Sequence, residues 1–102
     1  MKKIFLIAII GILTSCNAQQ QITAKKNKKG DLVGIANKES FNQAPYKTWF
    51  DQKYDAYTLD AASISDLKQQ LKGVKIKGFM GTWCGDSKRE VPRFYKILEA
   101  TD

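Results

Sequence analysis

Val74-Lys75-Ile76-Lys77-Gly78-Phe79-Met80-Gly81-Thr82-Trp83-Cys84-Gly85-Asp86-Ser87 is the stretch whose reading decides the fold. Its first half alternates apolar and polar residues and then turns wholly apolar, the pattern of a strand entering a sheet. Thr82 to Ser87 reads as a tight turn. Beyond it Val91, Phe94, Tyr95 and Leu98 recur at helical spacing, with Glu90 in the early turns. Upstream, Ile64, Leu67 and Leu71 mark the apolar face of an earlier helix. Ser63 or Ser65 is its expected cap, Asp66 suits the positive helix start, and Gly73 suits a left-handed exit. The order helix, strand, turn, helix predicts an α/β fold, with Ala56–Leu59 as a candidate second strand.

The turn also carries the chemistry. A cysteine between a strand and a helix has its sulfur near the unpaired N–H groups of the first helical turn, and those donors favour thiolate over thiol. Lys88 and Arg89 add positive charge nearby, and Asp86 opposes it. A thiolate so placed is suited to attack on a disulfide or another electrophile. Composition removes the competing chemistries. The chain contains no histidine, which excludes Ser–His and Cys–His catalysis and His-ligated zinc. Its two cysteines are too few for a four-cysteine zinc site or a multi-disulfide scaffold. Cys84, Asp86 and Glu90 are three dissimilar groups on one early helical turn, so no metal is expected. Gly78 and Gly81 lack the spacing of a phosphate loop, and no cofactor is expected.

Phe79 to Lys88, with Pro92 eight residues after Cys84, resembles the active-site segment of the thioredoxin family. The matching features are an apolar strand, a Trp-Cys-Gly turn and a helix that contains a proline. The resemblance spans roughly Ser63 to Asp102. It implies a partial thioredoxin-like fold of helix, strand, active-site turn and helix, with the C-terminal half of that domain lying beyond Asp102. It also implies that Cys84 is the exposed attacking thiol, that Trp83 flanks and shields it, and that Pro92 is the kink proline of the active-site helix. Asp86 and Ser87 complete the turn. Ser87 stands where the family carries its second, resolving cysteine, so the usual dithiol cycle cannot close within this motif. Two functions follow from the resemblance. One is thiol–disulfide exchange by a single thiol, with protein thiols and disulfides as partners. The other is a redox-inactive thioredoxin-like scaffold that binds a partner. A blander alternative makes Cys84 a small buried apolar residue.

Working towards the N-terminus, the 102-residue chain has room for one domain. Residues 41–102 are assigned to it, beginning with the aromatics Phe41, Tyr46, Trp49, Phe50, Tyr54 and Tyr57. Positions 46, 50, 54 and 57 share a helical face and are read as packing residues rather than a ligand platform, with Pro45 placed to open the helix. Residues 16–40 read as a flexible linker rich in Gln, Lys, Asn and Gly. The Lys25–Lys29 cluster within it is read as a solvated spacer in preference to a contact with anionic lipid head groups. Residues 1–15 read as a signal peptide: Met1-Lys2-Lys3 is basic, and Ile4–Leu13 is uncharged but shorter than the roughly 20 residues of a membrane span. Leu13-Thr14-Ser15-Cys16 resembles the bacterial lipobox, which implies acylation of Cys16 and a protein anchored to the bilayer on the periplasm-facing side of the cell envelope. The net charge of +7 is modest, and with export expected, nucleic acid is not an anticipated partner.

Overall fold

The computed structural model describes residues 20–102. The expected signal segment 1–15 and the lipidation residue Cys16 lie outside the described residues. Chain order gives β1 (Lys25–Lys26), β2 (Leu32–Val33), a 3-10 turn at Lys38–Phe41, then α1 (Tyr46–Ala56), α2 (Ala61–Gln70) and α3 (Gly85–Thr101). Three helices with a small two-stranded sheet form a mixed arrangement compatible with the α/β class. None of the helices is long and apolar enough to cross a membrane among the described residues.

The segment expected as a linker through residue 40 carries structure from residue 23 onward. β1 and β2 pair antiparallel, with Lys25 opposite Val33 and Lys26 opposite Leu32. Asn27 makes the turn between them: its Oδ1 accepts from the amides of Lys29 at 3.0 Å and Asp31 at 2.9 Å. Such a side chain mimics a backbone turn, and Gly30 takes the positive φ of 88° that the reversal needs. Behind the hairpin, the Thr23 and Ala24 amides both donate to Ile35 O at 2.9 Å. A stretch this poor in apolar residues is held largely by turn chemistry, with Leu32 as its contact with the core.

The core is aromatic. Phe41, Tyr46 and Phe50 are buried, with Leu32, Trp49, Tyr54, Met80 and Tyr95 packed around them. Phe41 and Phe50 stack with ring centroids 5.2 Å apart, and Tyr95 of α3 closes on Phe50 at 5.8 Å. Each such ring contributes roughly 1.5–3 kcal/mol on burial, which docks α1 on α3. The packing reading of the aromatics therefore holds for Tyr46 and Phe50. Tyr57 departs from the expected face: α1 ends at Ala56 and Tyr57 is its extended C-cap.

Two further expectations are corrected. The cap of α2 is Asp60, not Ser63 or Ser65. The Asp60 carboxylate accepts from the Ser63 amide, so the helix starts two residues earlier than Ser63. Gly73 does take the left-handed exit, at φ 73°. More consequentially, residues 74–80 form no strand, and neither does Ala56–Leu59, whose first residue ends α1. A strand is defined by a partner ladder, and among the described residues nothing pairs with either segment. Val74, Ile76 and Phe79 stay exposed, Phe79 at 91%. Met80 alone of the apolar run reaches the core.

Candidate functional site at the start of α3

The turn leading into α3 is closed by the Cys84 amide, which donates to Gly81 O at 3.0 Å. The first helical bond follows from the Lys88 amide to Cys84 O, also 3.0 Å. Cys84 is thus the N-cap, extended at φ −88° and ψ 122°, and half-buried. The neutral thiol makes no capping hydrogen bond, as expected of a weak acceptor. The thiolate gains what the thiol lacks. The Ser87 amide, the Ser87 hydroxyl and the Asp86 amide stabilise the anion and hold the thiol pKa below its ordinary value, against partial desolvation and the Asp86 charge.

Each residue expected at the site has a definite place. Ser87 occupies the third helical position, and its Oγ also accepts from the Gly81 amide at 3.3 Å, tying the turn's two ends together. Asp86 is 80% exposed in its side chain and pairs with Arg89 at 2.9 Å. Arg89 contacts Glu90 as well, at 2.7 Å. Its charge is therefore directed along the helix surface at two carboxylates. Trp83 is 75% exposed. Its indole lies over Gly81 so closely that a Cβ there would sit 2.7 Å from Cε2 and Nε1. Glycine at 81 is what permits this placement. Pro92 is fully buried inside α3, where its missing N–H removes one helical bond.

Residues that sequence reasoning missed fix the site to the body of the protein. Thr82 is 6% exposed. Its Oγ1 accepts from the Leu32 amide at 3.1 Å and donates to Asp31 Oδ1 at 3.3 Å. The Tyr46 hydroxyl donates to Gly30 O at 2.6 Å, linking the hairpin turn to the core. Contacts between residues some fifty positions apart leave no trace in local periodicity. The faint signal available was a threonine, a residue able to donate and accept, set between a glycine and an exposed tryptophan.

A thiol with helix-start donors and an exposed aromatic beside it can act as a nucleophile through its own ionisation. No protein-family model matches this chain, and neither a curated protein nor a solved structure matches it.

Proposed function

We propose that the protein is a single-cysteine thiol–disulfide exchange protein of thioredoxin-like type, tethered in the bacterial envelope through acylated Cys16. The observation that carries the reading is the half-buried Cys84 at the N-cap of the 17-residue α3, its thiol pKa lowered chiefly by Ser87. In the reaction, the Cys84 thiolate attacks one sulfur of a substrate disulfide. A Cys84–substrate disulfide forms, the substrate S–S bond breaks, and the departing thiolate takes a proton from water. Ser87 cannot repeat that attack. A small thiol, or the substrate's own second thiol, then attacks as thiolate at the substrate sulfur of that mixed disulfide, forming a new S–S bond there and expelling Cys84 as the thiolate.

Support for the thioredoxin-like part comes from the Trp-Cys-Gly turn opening a helix with an internal proline, and from the 74–80 segment beside it. In a larger sheet that unpaired, apolar segment would gain its ladder partners. The scaffold alternative draws on one contact. Ser87 Oγ bonds the Gly81 amide, so serine has a structural duty here that needs no redox role.

The test is exchange by the full chain with a neutral disulfide such as hydroxyethyl disulfide, in the presence of a small thiol. Turnover lost in Cys84→Ser is the expected result. Equal rates in both chains would overturn the reading.

A further inference from the structure

A second feature lies against the active-site turn. Trp83 forms one wall of an open cleft whose other walls are Asn27, Lys28, Lys29 and Asp31, the turn of the β1–β2 hairpin. Lys28 and Lys29 are exposed, and neither enters an ion pair among the described residues. Asp31 is the one opposing charge, and its carboxylate accepts the Thr82 hydroxyl. The cleft is therefore net positive. Its position is fixed rather than incidental. Asn27 closes the turn through two backbone amides, Tyr46 holds Gly30 O, and Thr82 bolts Asp31 and Leu32 to the residue before Trp83.

We infer that the Lys28–Lys29 hairpin turn and Trp83 form a recognition lip that selects substrates carrying carboxylates beside the reacting sulfur, as in an acidic peptide. The inference rests on the exchange reading above and adds its substrate class. The lysines supply the field, and the exposed indole face supplies apolar contact for the chain flanking the sulfur. Two ammonium groups in a solvated cleft act over a range comparable to the screening length of about 8–10 Å at ordinary salt. Their effect is therefore a preference that salt weakens. The same lysines could instead face anionic lipid, but their mounting against Trp83 rather than on a free tether favours a partner engaged at the thiol.

The test compares disulfides of like size and different charge on the full chain: dithiodiglycolate, hydroxyethyl disulfide and cystamine. Iodoacetate against iodoacetamide serves as a parallel pair that needs no exchange activity, and Cys84→Ser subtracts any reaction at Cys16. Wild type should favour the anionic over the neutral probe by about fivefold at low ionic strength, relative to Lys28→Gln/Lys29→Gln, with the gap closing in high salt. The ratio within each chain is the readout, so that any change in Cys84 ionisation, which affects both probes alike, cancels. An anionic-to-neutral ratio identical in the two chains, for both probe sets, would overturn the inference while leaving exchange intact. Loss of disulfide reaction with the alkylation ratio still charge-dependent would overturn the exchange reading and leave the lip as an anion selector. Identical ratios together with weakened binding of the double variant to phosphatidylglycerol vesicles would assign the lysines to the membrane instead.

Discussion

The Leu32 amide donates to the hydroxyl of Thr82 across 3.1 Å, joining β2 to the turn that carries Cys84. That bond, with Thr82 donating in turn to Asp31, is what makes the hairpin and the thiol parts of one site. Thr82→Val keeps the shape and removes the hydroxyl, leaving a half-buried amide without its partner. An orphaned group of this kind costs about 1–3 kcal/mol. Urea unfolding followed by tryptophan fluorescence should show a loss in that range. A midpoint equal to wild type would mean the tie contributes nothing.

Gly81 and Trp83 make a second, more local relationship. Gly81→Ala places a methyl carbon where the indole now lies, 2.7 Å from two of its atoms. Gly81 does not occupy the left-handed region, so its backbone accepts alanine and the indole must move. The expected outcome is a changed Trp83 emission maximum and quenching by iodide, with the unfolding free energy changed by less than about 1 kcal/mol. Unchanged emission would contradict the close approach.

Glu99 holds three elements together and predicts a pH dependence. Its carboxylate meets Lys38 at 2.5 Å and accepts the Tyr54 hydroxyl. Lys38 and then Tyr54 hold the Glu99 pKa below the usual carboxylate range, while the Glu99 bond raises the pKa of Lys38 and of Tyr54. The Glu99 contribution is thus present above the unfolded value of about 4.3 and lost as pH falls through the lower folded value. Those of Lys38 and Tyr54 are present below about 10 and lost as pH rises through their raised folded values. Both partners are about two-fifths exposed, which limits the pair to about 0.5–1 kcal/mol. Glu99→Gln should lower the urea midpoint at pH 7 and flatten its decline between pH 5 and 3, a range taken from the ordinary carboxylate value of about 4.3. Parallel acid limbs for the two chains would contradict this assignment.

What could be read from the sequence divides along the range of the forces involved. The α3 helix was legible because Val91, Phe94, Tyr95 and Leu98 repeat at its own period. Gly73 and Pro45 were legible because backbone constraints act on neighbours alone. Cys84 at the helix start followed from the same local logic, and its lowered pKa agrees with it. Local chemistry does not decide the α2 cap, because Asp60 and Ser63 are both good N-caps three residues apart, and the chain uses Asp60, whose carboxylate accepts from the Ser63 amide. The hairpin was hidden in a lysine-rich stretch, where Asn27 and Gly30 carry the turn without an apolar pattern. The 74–80 segment has the alternation of a strand, yet alternation only makes a strand where a neighbour offers its hydrogen bonds.

The central claim is that the start of α3 acidifies Cys84, and the pH dependence of its alkylation by iodoacetamide in the full chain, corrected with Cys84→Ser, measures this most directly. A midpoint clearly below the ordinary thiol value of about 8.5 is the predicted result. A midpoint at or above that value would contradict the account.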